Sequence, residues 1–255
     1  MELMEINGVR LEVQRIPAPA GGLAPVVFLH EGLGSVSMWR DWPAQLCTAT
    51  GRAGIVYSRR GYGRSDPVPD VRGAGRLQPG YMHREAWEVL PALLKALDLQ
   101  APVLVGHSDG GSIALLHASR HPLAACVVMA PHVIVEDVSV DSIAQARDAY
   151  GTGLRERLAK FHADVDVAFW QWNDAWLNPA FRDFDIRPEC RRITAPVLAI
   201  QGVDDAYGTL RQIEEIAPTN GPFEMQVLER CGHSPHRDQP EAVTQRIAQF
   251  LRGNP

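Results

Sequence analysis

The stretch Val103-Leu104-Val105-Gly106-His107-Ser108-Asp109-Gly110-Gly111 decides how the rest of the chain is read. Pro102 to Val105 is a short β-branched and leucine run, the pattern of a buried strand. From Ile113 to Ala118 the pattern turns helical, so a strand passes directly into a helix at Ser108. A turn that sharp strains the backbone at its apex and leaves no room for side chains two positions before and two after. Those positions are Gly106 and Gly110. Were Asp109 the apex, the bulky His107 would stand where a glycine is needed, so the apex is Ser108. Such a turn lifts a serine hydroxyl clear of the sheet edge, where a base can reach it. Gly-x-Ser-x-Gly alone is a common strand-to-helix turn. Its meaning depends on whether a base and an acid follow at other strand ends.

Outward from this turn, strands alternate with helices. Met4–Ile6 and Val9–Gln14 flank Asn7-Gly8, a strong hairpin signal. Val26–Leu29, Ile55–Tyr57, Ala125–Met129, Pro196–Ile200 and Phe223–Leu228 are further strands, about eight in all. Helices are expected over about 38–49, 81–99, 210–216 and 241–251, the second kinked at Pro91. The expected fold is therefore α/β, a mostly parallel sheet covered by helices on both faces. Between residues 132 and 192 no strand pattern occurs, and several short helices are expected there. This divides the chain into a core of residues 1–131 and 193–255 and an inserted helical segment, 132–192.

Composition narrows the class. A chain of 255 residues can bury a substantial interior, and 45% hydrophobic with 22% charged residues is ordinary for a globular protein. A net charge of −5 argues against a nucleic-acid surface or a binder of anionic membranes. Cys47, Cys126, Cys190 and Cys231 show no Cys-x-x-Cys spacing and read as reduced thiols in a cytoplasmic protein. No apolar run approaches the length of a membrane span.

In α/β folds reactive groups collect at the carboxyl ends of strands. Gln201-Gly202-Val203-Asp204-Asp205 follows one strand and Glu229-Arg230-Cys231-Gly232-His233 another. Serine, then acid, then histidine is a chain order of hydrolases. Here the sequence resembles the α/β-hydrolase superfamily over nearly its whole length. His30-Glu31-Gly32 is similar to that family's loop after strand 3, and Arg60-Gly61-Tyr62-Gly63-Arg64-Ser65 to its Arg-Gly-x-Gly-x-Ser turn. Gly106 to Gly111 is similar to its nucleophile turn, Gly202-x-x-Asp205 to its acid loop, and Gly232-His233 with Pro240 to its histidine loop.

The resemblance implies Ser108 as nucleophile, His233 as base and Asp205 as the acid orienting it, with Asp204, Glu136 and Asp137 as weaker candidates for the acid. It implies an oxyanion hole made by the backbone N–H groups of Gly32 and Asp109, and a helical cap formed by the 132–192 insertion. Three positions depart from the pattern. Glu31 replaces a usual glycine, Asp109 a commonly neutral residue, and Ser58 a frequent aspartate. A carboxylate aimed at the oxyanion opposes catalysis, so the side chains of Glu31 and Asp109 are expected to point away.

Val165, Phe169, Trp172 and Trp176 share one helix face, which packs the insertion onto the core or walls an apolar pocket. Phe169, Trp172 and Trp176, with His132 and Tyr207 after strand ends, are the candidate pocket residues. His233, His236 and Asp238 lack the further ligands a metal site needs, and no metal or cofactor is expected. The expected activity is hydrolysis of a small, fairly hydrophobic ester or lactone, a small-molecule substrate. The alternatives are hydrolysis of a carbon–carbon bond in a ring-cleavage dienoate, or a binding protein on the same fold. Oligomeric state is not legible.

Overall fold

The computed structural model describes residues 1–18, 22–217 and 219–253. It opens with β1 (Glu2–Ile6) and β2 (Val9–Ile16), an antiparallel hairpin closed by Asn7 and Gly8, both left-handed at φ 51° and 78°. There follow β3 (Val26–Leu29), α1 (Trp42–Thr50) and β4 (Gly54–Tyr57). Next come α2 (Tyr81–Arg84), α3 (Leu90–Ala96), β5 (Val103–His107), α4 (Asp109–Ala118) and β6 (Ala125–Met129). The chain then runs through α5 (Asp137–Ala149), α6 (Arg155–Leu158), α7 (Val165–Trp176) and α8 (Arg187–Cys190) before β7 (Val197–Gly202). It ends with α9 (Arg211–Glu214), β8 (Phe223–Leu228), α10 (Pro235–Asp238) and α11 (Pro240–Gly253).

The eight strands form one sheet in the order β1-β2-β4-β3-β5-β6-β7-β8. β2 runs antiparallel to β1 and β4, and every later pairing is parallel. The parallel strands β3 to β7 are buried along their whole length because helices cover both faces. Side chains alternate between two apolar layers. Val103 and Val105 join Trp39, Trp42, Ile247 and Phe250 on one face, while Leu104 joins Leu90, Ile113 and Leu116 on the other. Every residue of α4 is buried, so the helix that follows Ser108 is enclosed on all sides.

Two helices differ from expectation for local reasons. The helix expected over 38–49 begins at Trp42, after a 3-10 turn at Val36–Trp39 and a left-handed Arg40 at φ 54°. Pro43 has no N–H and clashes with a preceding turn, so it is placed in the helix's first turn. In the 81–99 segment the expected kink takes the form of a π turn at Glu85–Val89, ending two residues before Pro91. The wider turn accommodates the ring without breaking the run.

The excursion between β6 and β7 is helical. Its two ends are pinned together, since Ile134 bridges Asp185 and Ile186 N–H donates to Val133 O at 2.9 Å. Helices α5 to α7 therefore leave and rejoin the core at one place, beside the carboxyl ends of the strands.

Candidate active site

Ser108 stands at φ 52° and ψ −121°, a region that non-glycine residues enter only when the surroundings hold them there. The hold comes from both sides of the turn. Ser108 N–H donates to Met129 O at 2.9 Å, and Ser108 O accepts from Gly111 and Ser112 N–H at 2.8 and 3.0 Å. A Cβ at Gly106 would lie 2.3 Å from Gly110 O, and one at Gly110 would lie 2.1 Å from Leu29 O. Neither backbone can retreat, which is why both positions are glycine.

His233 arrives from the loop after β8 and Asp205 from the loop after β7. His233 Nε2 lies 3.0 Å from Ser108 Oγ, and His233 Nδ1 lies 2.8 and 2.9 Å from the two Asp205 oxygens. Asp205 also accepts from Tyr207 N–H at 2.8 Å and from Gln201 Nε2 at 3.2 Å. Burial pushes the Asp205 carboxyl up, but the His233 hydrogen bond and charge, with the Tyr207 N–H, outweigh it and hold the group below its ordinary value. With the carboxylate on Nδ1–H, Nε2 carries the lone pair that faces the serine hydroxyl.

The other candidate acids lie elsewhere. Asp204 is exposed and contributes its backbone N–H to Cys231 O at 2.9 Å. Glu136 binds Thr209 and Gln212, and Asp137 pairs with Arg182. The spacing of Gly202 to Asp205 has a steric origin, because a Cβ at Gly202 would sit 2.0 Å from Cys231 O. The acid loop and the histidine loop cross at this point. Gly202→Ala is expected to force them apart, costing about 1–3 kcal/mol of stability, read as a lower urea midpoint, and lowering activity with it.

The two unusual carboxylates each have buried partners of their own. Glu31 Oε1 accepts from Arg237 at 3.1 Å, and Glu31 Oε2 lies 3.5 Å from His107 Nδ1. Burial pushes Glu31 up, but His107 and Arg237 more than offset it and hold the carboxyl well below the usual range. His107 Nε2–H in turn donates to His233 O at 2.6 Å, so this chain of contacts holds the His233 backbone. Asp109 is buried, accepting from Tyr81 OH at 2.6 Å and Trp176 Nε1–H at 3.2 Å, with Arg59 3.7 Å away. Burial raises its pKa, against the pull of Arg59. His30 uses both ring nitrogens in the loop, on Glu31 O at 2.6 Å and Arg59 N–H at 3.0 Å.

At the third departure, Ser58, a carboxylate is supplied from another strand. Glu12 on β2 accepts from Ser58 Oγ–H at 2.8 Å and Arg64 N–H at 3.0 Å, which sequence reading missed. His162, also missed, ties the α6–α7 loop to the core. Its Nδ1 accepts from Gly63 N–H and its Nε2–H donates to Leu33 O, both at 3.0 Å.

Of the candidate pocket residues, four gather around Ser108. His132 Nε2 lies 3.5 Å from Ser108 Oγ, and the Trp176 ring stands edge-on to His132 at 4.7 Å. The Tyr207 ring is 4.7 Å from that of His233. The Trp172 indole covers Gly32, with Nε1 2.2 Å from where a Cβ there would be. Phe169 instead stacks on Tyr150 at 3.8 Å, inside the helical layer. Ser108 itself is buried, at 6% exposed. A cavity of about 660 Å³ beside α11, lined by Ile200, Leu228, Val243 and Arg246, holds none of these residues. Among the described residues no group of three or more His, Cys, Asp or Glu is arranged to hold a metal ion. His236 is packed against Trp39 and Trp42, and Asp238 accepts from Gly232 N–H at 2.8 Å. No helix among the described residues is long and apolar enough to cross a membrane.

A non-heme chloroperoxidase of Streptomyces lividans is 30% identical over 224 residues, 73% of this chain and 76% of the relative. A bifunctional esterase/perhydrolase of Acinetobacter calcoaceticus is 25% identical over 71% of this chain and 75% of its own. In three dimensions the enol-lactonase from Burkholderia xenovorans superposes with a TM-score of 0.74 at 19% identity, covering 98% of this chain and all of the other. That likeness is one of fold. The model of the alpha/beta hydrolase family matches residues 26–246, which takes in the Ser108 turn, the Asp205 loop and the His233 loop. The chain belongs to the alpha/beta hydrolase family of enzymes.

Proposed function

We propose that this chain is a serine hydrolase that cleaves a small, fairly hydrophobic carboxylic ester or lactone through an acyl-enzyme. The observation that carries the reading is His233, hydrogen-bonded on one ring nitrogen to Asp205 at 2.8 Å and facing Ser108 Oγ at 3.0 Å with the other. His233 takes the serine proton as Oγ attacks the carbonyl carbon, and Asp205 stabilises the imidazolium. The imidazolium returns the proton to the leaving oxygen as the C–O bond breaks. Water, deprotonated by His233, then attacks the acyl-enzyme and releases the acid with Ser108 restored.

The tetrahedral oxyanion takes the backbone N–H groups of Asp109 and Gly32, each contributing on the order of 3 kcal/mol. Among the described residues neither amide donates to a protein acceptor, which leaves both free for that use. Helices α5 to α7 act as a cap, and Trp172 and Trp176 on it give the acyl pocket its apolar wall. The word esterase in the name of the Acinetobacter relative fits this reading. A fluorophosphonate probe tests it. Ser108 in the folded protein is expected to label, Ser108→Ala is expected not to, and p-nitrophenyl esters are expected to turn over. A folded wild-type chain left unlabelled overturns the proposal.

A further inference from the structure

The nucleophile has two imidazoles on its oxygen, and the reaction above uses one. His233 Nε2 lies 3.0 Å from Ser108 Oγ and His132 Nε2 lies 3.5 Å from it. The hydrogens assign the roles. Asp205 takes the His233 Nδ1–H, so the Ser108 hydroxyl proton points to His233 Nε2. Ser108 Oγ then has only lone pairs left, and the approach of His132 must be Nε2–H donating to oxygen. At 3.5 Å that bond is long in the resting enzyme.

Nothing about the ring's surroundings explains a polar residue there. The backbone of His132 is clamped by Ser112, whose Oγ–H donates to His132 O at 2.7 Å and whose Oγ accepts from His132 N–H at 2.9 Å. The ring is 2% exposed and lies edge-on to Trp176, and its Nδ1 is buried with no partner. Burial, then the nearby His233, push its pKa down to about 3, so the ring is neutral near pH 7. A phenylalanine would fill this volume without leaving a ring nitrogen unsatisfied.

Strand order says which oxygen the donor serves. The sheet runs β3-β5-β6-β7-β8, with Ser108 at the tip of β5. Gly32 follows β3, on one side of the serine. His132 follows β6, on the other side, where the loops after β7 and β8 bring Asp205 and His233. The His132 and His233 rings are 5.9 Å apart, and both residues follow strands that lie across β5 from β3, the strand before Gly32.

We propose that His132 is a further catalytic residue, its Nε2–H donating a hydrogen bond to the leaving-group oxygen as the ester C–O bond breaks and to the water oxygen that later replaces it. The inference rests on the acyl-enzyme reading. His132 keeps its proton throughout. The electron pair of the C–O bond goes to the leaving oxygen, the transferred proton comes from the His233 imidazolium, and His132 stabilises the negative charge that builds up before that proton arrives. An alkoxide needs this help most, and a p-nitrophenolate, already a stable anion, needs it least.

The test compares p-nitrophenyl, phenyl and ethyl butyrate by kcat/KM, which reports acylation alone, as ratios of variant to wild type so that pocket preferences cancel. His132→Phe and His132→Leu are expected to lose about 30-fold on the ethyl ester and less than about 3-fold on the p-nitrophenyl ester. His132→Gln, which restores an N–H donor, is expected to recover most of the loss. Thermal melting checks that each variant folds, and the leucine variant carries the test should phenylalanine crowd Trp176. An equal loss on all three esters, or no loss on the ethyl ester, overturns the role of His132 and leaves the hydrolase reading standing. A wild-type chain that cleaves none of them and does not label with fluorophosphonate overturns both.

Discussion

Ser108→Ala and His233→Ala are each expected to lower kcat by about 10⁶-fold, with the double variant falling no further. In the proposed reaction the two side chains perform one proton transfer between them, so removing either leaves the other with nothing to do. Asp205→Asn is expected to cost about 10⁴-fold. An asparagine amide can turn its N–H₂ toward His233 Nδ1, which favours the tautomer with hydrogen on Nε2. That nitrogen then faces Ser108 Oγ at 3.0 Å as a donor and cannot accept the hydroxyl proton. Asp204→Asn is the control, expected to stay within about twofold, because its side chain is exposed and only its backbone reaches the histidine loop. Steady-state turnover of a p-nitrophenyl ester reads all five variants. Losses that add in the double variant would mean that Ser108 and His233 act independently, and the proposed relay would fail.

Much of this arrangement was legible in the sequence because sterics wrote it there. Parallel strands buried on both faces become unbroken apolar runs, so β3, β5, β6 and β7 announce themselves. The strand-to-helix turn at Ser108 demands glycine where a Cβ would strike the backbone, and the Gly202 to Asp205 spacing marks a crossing of two loops. What stayed hidden depends on contacts between distant residues. Nothing in Leu11-Glu12-Val13 says that its carboxylate serves Ser58, and nothing at Arg59 says that it faces Asp109. Arginine carries no signal for a left-handed backbone, so the late start of α1 after Arg40 was not foreseeable. The stripe on α7 was visible as a helical face, but one face can meet two neighbours. Phe169 turns to Tyr150 while Trp172 covers Gly32 and Trp176 reaches Asp109 and His132.

The buried Arg59 is expected to contribute strongly to stability through the carboxylate beside it. Its side chain is 3% exposed, donates to Glu31 O at 3.0 Å and lies 3.7 Å from Asp109, whose side chain is 1% exposed. Arg59→Met removes the cation and leaves a buried carboxylate with only the Tyr81 and Trp176 donors, a loss of about 3–5 kcal/mol. The pH dependence has a definite sign. Burial holds the Asp109 pKa above its ordinary value even with Arg59 present, and without Arg59 it rises further. A raised folded-state pKa means that the folded protein binds the proton more tightly than the unfolded chain does. Its contribution is complete below the ordinary carboxylate pKa of about 4 and is lost as pH climbs through the folded-state value. Glu85, raised by burial and likewise opposed by Arg59, acts in the same direction. The destabilisation by Arg59→Met should therefore be small near pH 4 and reach its full size in alkaline solution, as urea midpoints across that range would show. The double variant Arg59→Met, Asp109→Asn removes the stranded charge and keeps one acceptor, so it should be more stable at high pH than Arg59→Met alone. A cost that does not change with pH, or a double variant no more stable than the single, would mean that Arg59 stabilises the fold by packing on Tyr62 and not by neutralising the Asp109 carboxylate.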